Sequence, residues 1–188
     1  MQTHTIWGPR QTSTMIADGI ERVTTASHGG FILSTARVHD MPAAFPRHQN
    51  HSYEEDTAWC FVTLAFPQYF DARDQDAAQQ TCKDCFPDVW ETWTGTTLSL
   101  TESSTKRTDA WDHDHRDEWL VITAWGDWHS EVPKGSVAVR ARQGGREANH
   151  GIPDQYYLVP ADEYRGARLQ FVIDRTRHRR IDPLTRVA

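Results

Sequence analysis

Lysine is almost missing from this chain: three lysines stand against seventeen arginines. With its common alanine, that bias is the coding signature expected of a GC-rich bacterial or phage genome and says nothing physical about the fold. Cysteine is scarce as well. Three residues, an odd number, need no disulfide framework and fit a reducing cytoplasm. No stretch approaches the roughly 18 consecutive apolar residues of a membrane span. Residues 1–20 lack a basic start followed by an apolar stretch, so neither a membrane nor a secretory route is expected. There is no internal repeat and no low-complexity linker. No serine sits in a Gly-x-Ser-x-Gly elbow and no Walker-type glycine loop occurs, which removes two common catalytic signatures.

What is present is a chain able to build a core. Its 188 residues are 38% apolar and 11% aromatic, with eight tryptophans. That composition predicts one folded domain, 1–188, rather than disorder. The net charge of −6 hides an asymmetry. Residues 1–131 carry 9 Lys and Arg against 20 Asp and Glu; residues 132–188 carry 11 against 6. An acidic helical part therefore precedes a basic, β-rich part, and the two steer partners of opposite sign. A solvated surface with uneven charge is the plainer account.

Trp7-Gly8-Pro9 reads as a turn. Residues 19–25 alternate and are β-branched, residues 30–34 read as a second strand, and Ser27-His28-Gly29-Gly30 between them suits a hairpin connection. Residues 35–52 read mostly as loop, with Pro42 and Pro46. Ser52 and Glu55 then have the capping-box spacing of a helix start, with Glu54, Glu55 and Asp56 in its first turn. An apolar run over residues 58–66 predicts a buried helix ended by Pro67. Asp71 caps a second helix to about Asp84. Pro87 opens a third, Asp88 to Trp93, closed by Gly95. Residues 99–118 read as a weak exposed helix. Residues 119–125, 136–142, 155–159 and 169–173 read as strands, with turns at Pro133-Lys134-Gly135 and Gly144-Gly145. The expected class is α+β: an N-terminal β-hairpin, and central helices packed on a C-terminal antiparallel sheet.

Several of these segments carry a resemblance. Trp7-Gly8, the stretch from Ala26 to Ser34, Tyr53-Glu54-Glu55-Asp56 with Trp59, and Phe66-Pro67 resemble a family of domains of unknown function. Its members are encoded on bacterial plasmids, integrative elements and phages. Val132-Pro133-Lys134-Gly135, Tyr157-Leu158-Val159-Pro160 with Glu163-Tyr164, and Phe171-Val172-Ile173-Asp174 look like the same family. The resemblance implies an accessory gene of a mobile element, of the kind that encodes inhibitors of host defence, and it implies no catalytic residue.

The residues themselves leave several chemistries open. His28 beside two glycines suits a general base or a metal ligand; it equally suits a hairpin turn bonded to nearby backbone. Asp56, Cys60 and Thr63 share a stripe of the expected helix, so a buried Asp56 needs a partner, which Arg22, Arg37 or His28 would supply. An Asp56–His28 pair would orient an imidazole for catalysis, with Glu54 or Glu55 in support, or form a structural network. His48-x-x-His51 and Asp112-His113-Asp114-His115 have usable ligand spacing but lie in polar, loop-like sequence, and neither a metal nor a cofactor is expected. Cys82-x-x-Cys85 lies within a helix, away from the N-terminus that activates redox thiols. Asp109, Asp112, Asp114, Asp117 and Glu118 form an acidic line able to imitate phosphates. Arg175, Arg177, Arg179 and Arg180 form a basic cluster. The acidic pI near 5.9 argues against direct nucleic-acid binding.

The expected function is a non-enzymatic, protein-binding inhibitor of a host defence complex, of the anti-CRISPR or antirestriction type, acting in the bacterial cytoplasm. Its contacts would be the acidic line and the basic cluster, with Trp111 or Trp128 as anchors if exposed. The alternatives are an enzyme, a hydrolase or nucleic-acid-modifying activity using His28 and Asp56, and a regulatory or structural accessory of the element.

Overall fold

Alternating β-branched residues and glycine turns build the N-terminal strands. The computed structural model describes residues 4–146, 148, 151–165, 167 and 170–185. It divides into two compact units, Met1–Arg107 and Thr108–Ala188. The architecture is α+β with antiparallel sheets. The division into units falls within a helix, ahead of the change of charge sign after residue 131.

In the first unit, β1 (His4–Thr5) and β2 (Gly8–Pro9) pair around a turn at Ile6 and Trp7. A four-stranded meander follows in the order β3 (Thr12–Ala17), β4 (Ile20–Thr24), β5 (Gly29–Leu33) and β6 (Ser52–Glu54). The β4–β5 hairpin is the expected one. Thr25 closes it, because its backbone N–H and its hydroxyl both donate to the His28 carbonyl, at 2.7 and 2.9 Å. Gly29 and Gly30 consequently lie within β5, not in the turn.

Two local readings are corrected here. Within the expected loop 35–52, Ser34 caps a short helix, α1 (Thr35–Asp40), accepting from the Arg37 N–H at 3.3 Å. Six residues are too few to show helical periodicity in sequence. The capping box at Ser52 and Glu55 does not form: Ser52, Tyr53 and Glu54 pair with Ile32, Phe31 and Gly30. Pairing satisfies their backbone groups in a place where Ser52 and Tyr53 are buried. The next helix, α2 (Trp59–Ala65), starts later, after a turn capped by Glu54. The Glu54 carboxylate accepts from the N–H groups of Asp56, Thr57 and Ala58 at 2.5, 2.9 and 3.0 Å.

The following helices obey their punctuation. Asp71 caps α3 (Ala72–Cys85) through the Asp74 N–H at 2.8 Å. Pro87 opens α4 (Pro87–Thr94), and Gly95 ends it at φ +72°. The exposed helix is α5 (Ser104–Asp114), which buries none of its residues. The core of this unit gathers Ile20, Phe31 and Leu33 from the sheet with Tyr53, Phe61, Val62 and Phe66, and with Ala78 and Cys82 of α3. The central helices were expected on the C-terminal sheet. They are buried on the N-terminal one, because α2 directly follows the edge strand β6 and the apolar faces of α2 and α3 complete a core that the meander has already begun.

The second unit is a sheet in the order β10 (Arg179–Ile181), β9 (Gln155–Pro160), β8 (Ser136–Gln143) and β7 (Trp119–Trp125), all antiparallel. A one-turn helix, α6 (Ala161–Tyr164), follows β9. The strand expected at 169–173 appears as a short pairing against β7, where Val121 donates to Phe171 at 3.0 Å and Ile173 to Trp119 at 2.8 Å. Leu169 lies outside the described residues. β10 has no counterpart among the sequence-based strands; two consecutive arginines disguise it. Trp119, Val121, Val139, Ala141, Tyr157 and Val159 form the centre of this core.

Candidate binding cavity

His28-Gly29-Gly30 and Tyr53-Glu54-Glu55-Asp56 do come together, but through their glycines and glutamates. His28 and Asp56 are both exposed, and neither side chain has a hydrogen bond or ion pair among the described residues. Asp56 is therefore not the buried aspartate the helical stripe predicted: the helix begins after it, so the stripe does not exist. Glu54 is taken up as a cap. Burial pushes its pKa up, but the N–H groups of Ala58, Asp56 and Thr57 and the Thr57 hydroxyl outweigh that and hold it below the ordinary range.

The contact between the motifs runs through Gly29, whose carbonyl accepts from the Glu55 N–H at 3.0 Å. A side chain at Gly29 would bring its Cβ 2.5 Å from Glu55 Oε2, so the missing side chain leaves room for that carboxylate. Gly30 has φ +148°, and a Cβ there would overlap the Tyr53 carbonyl, lie 2.8 Å from Glu54 Cα and 2.9 Å from the Trp7 indole. Only glycine lets β6 and Trp7 approach β5 this closely.

Glu55 opens onto a cavity of about 470 Å³ within the first unit. Its sheet wall is Ile16, Arg22 and Phe31; α2 contributes Trp59 and Thr63. Tyr69 and Phe70, from the turn after α2, and Asp71 and Asp74, at the start of α3, complete it. Phe31 and Phe70 meet edge to face at 5.6 Å. Arg22 and Glu55 are both exposed, and neither forms an ion pair among the described residues. Thr63 is fully buried, and its hydroxyl has no hydrogen-bond partner among the described residues. Volume, aromatic walls and a few convergent polar groups are the attributes of a small-molecule site. Of the four candidate catalytic residues only Glu55 lines it. The sequence offers Arg22 as a partner for Asp56 and Thr63 as part of a polar stripe, not as walls of one cavity.

The other candidates are placed as follows. His48 stacks edge-on against Tyr53 at 4.9 Å, while His51 sits in a left-handed backbone conformation, φ +56°. His115 stacks on Trp111 at 4.3 Å and its Nδ1 lies 2.7 Å from the Trp111 carbonyl. Among the described residues no group of three His, Cys, Asp or Glu is arranged to hold a metal. Cys82 faces Cys60 across the α2–α3 contact, and the hydrogen bond between the two thiols, with burial, raises the pKa of Cys60; Cys85 is exposed. Asp109, Asp114, Asp117 and Glu118 are exposed, whereas Asp112 is half-buried and already engaged. Trp128 is 73% exposed and Trp111 is half-buried.

The arginine cluster divides. Arg175 lies over the Trp119 ring at 5.7 Å, and Arg177 pairs with Glu163 and Asp174. His178 is buried: its Nδ1 accepts from the Asp174 N–H at 3.1 Å, so Nε2 carries the proton that bonds Glu163 at 3.0 Å. Arg179 and Arg180 are exposed on the edge strand β10, where charge also blunts pairing with other sheets. No helix among the described residues is long and apolar enough to cross a membrane.

Residues 1–116 match the domain of unknown function DUF7007. The chain belongs to that family. The match contains Trp7, the glycine pair and the acidic run; the late segments from Val132 onward lie beyond it. No curated protein and no solved structure matches the chain.

Proposed function

We propose that this DUF7007 protein is a non-enzymatic, protein-binding inhibitor of a host defence complex, carried by a mobile element or phage and acting in the bacterial cytoplasm. The observation that carries the reading is the acidic line. Asp109, Asp114, Asp117 and Glu118 project from α5 and the turn after it. Among the described residues only Asp117 has an ion pair, with Arg116 at a loose 4.0 Å. Four carboxylates left to solvent, two on a helix that buries nothing and two on the turn after it, suit a basic groove of the kind that holds nucleic acid. Exposed Trp128 supplies an aromatic anchor in the same unit, and Arg179 and Arg180 a basic contact.

The test is a pull-down against CRISPR and restriction complexes at low and physiological salt. Capture is expected to weaken with salt and to be lost when Asp109, Asp114, Asp117 and Glu118 are neutralised together. Failure to bind any such complex, with no protection of phage in cells, sinks the reading. The alternative reading, a hydrolase or nucleic-acid-modifying enzyme using His28 and Asp56 with Glu54 or Glu55, is favoured by one observation: Glu55 lines the cavity.

A further inference from the structure

We propose that the cavity of the first unit binds a small zwitterion: an amino acid with an apolar or aromatic side chain. Its two charged walls are the starting point. Arg22 reaches in from β4 and Glu55 from the turn after β6. They border the same cavity, yet no ion pair within 4.0 Å joins them, and neither has another partner among the described residues. Opposite charges held apart in one cavity match a ligand that carries both. Its carboxylate pairs with the Arg22 guanidinium, whose planar fork suits a carboxylate. Its ammonium goes to Glu55 and to Asp74, which lines the same space.

The acidic excess places the ammonium as the required pole. Glu55, Asp71 and Asp74 face a single cation in Arg22. Asp71 is also bound to the Asp74 N–H, which leaves Glu55 and Asp74 as the open acceptors. The body of the ligand is set by Phe31, Trp59 and Phe70, faces that take up an apolar or aromatic side chain. Thr63 closes the α2 side of the cavity, fully buried.

The test is calorimetric titration of the full chain with three related probes: L-phenylalanine, phenethylamine, which lacks the carboxylate, and 3-phenylpropanoate, which lacks the ammonium. L-phenylalanine is expected to bind, and each truncated probe to bind about tenfold or more weakly. Glu55→Gln and Arg22→Gln each weaken L-phenylalanine about tenfold without moving the unfolding midpoint, since both side chains are exposed. The proposal is overturned by absence of L-phenylalanine binding up to about 10 mM. It is equally overturned by a truncated probe binding as well as the zwitterion, or by binding indifferent to both Glu55→Gln and Arg22→Gln. Partner capture through Asp109 to Glu118 is independent of these outcomes.

Discussion

Replacing Gly30 by alanine is the most informative perturbation of this fold. Two costs are separable. The backbone at φ +148° lies in a region that is nearly glycine-only, which costs an L-residue about 1–3 kcal/mol. The added methyl also enters space held by the Tyr53 carbonyl, Glu54 Cα and the Trp7 indole. Two of those are backbone groups of a paired strand, so relief requires β6 to move away from β5, at about 1–3 kcal/mol more. The sum, roughly 2–6 kcal/mol, is a large part of the stability of an ordinary domain. Gly95→Ala in the same unit is the control. Its φ of +72° is also unfavourable, but nothing lies within 4 Å of the new Cβ, so it costs only the backbone part, about 1–2 kcal/mol. Urea unfolding measures both variants. Hydrogen exchange at the β5–β6 amides locates the damage, and those amides are expected to lose protection in Gly30→Ala alone. If the two variants lose equal stability, or if the β5–β6 amides stay protected, the close approach at Gly30 is not what positions Glu54 and Glu55.

Further outcomes follow from the caps and charge clusters. Glu54→Ala removes the acceptor for three N–H groups of the turn that leads into α2 and is expected to cost about 1–2 kcal/mol. Because the folded pKa of Glu54 is depressed, its contribution is full above the ordinary carboxylate range and fades as pH falls through the folded value. Acid unfolding of Glu54→Gln is therefore shallower in that window. Asp154→Asn weakens the second unit by about 2 kcal/mol, since Asp154 pairs with both Arg140 and Arg142; followed by the β8–β9 amides, the loss is largest near neutral pH and shrinks in acid. His28→Ala shifts the thermal midpoint negligibly, by under about 0.5 kcal/mol in stability, because the ring is exposed and unbonded. A large loss in that variant would mean that the histidine has a partner after all.

Elements whose signals are local are legible in the chain before it folds. Asp71, Pro87 and Gly95 delimit α3 and α4 because capping and backbone restriction act within a few residues. Alternation over residues 119–125, 136–142 and 155–159 yields three strands of the second sheet for the same reason. Ser52-x-x-Glu55 shows where local reading stops. That spacing suits a helix start, but an open edge at β5 and the room made by Gly30 turned Ser52, Tyr53 and Glu54 into a strand. The helices took the N-terminal sheet, a choice made by which apolar faces could close a core and not by composition. Packing separates the acids: Glu54 caps, Glu55 faces the cavity, and Asp56 is left in solvent. Likewise it divided the arginines, tying Arg177 to Glu163 and leaving Arg179 and Arg180 on an edge strand. The cavity joins Arg22, Glu55, Thr63 and Asp74, from four separate elements. No local rule links such residues, because a side chain's partners and its burial are properties of the packed chain.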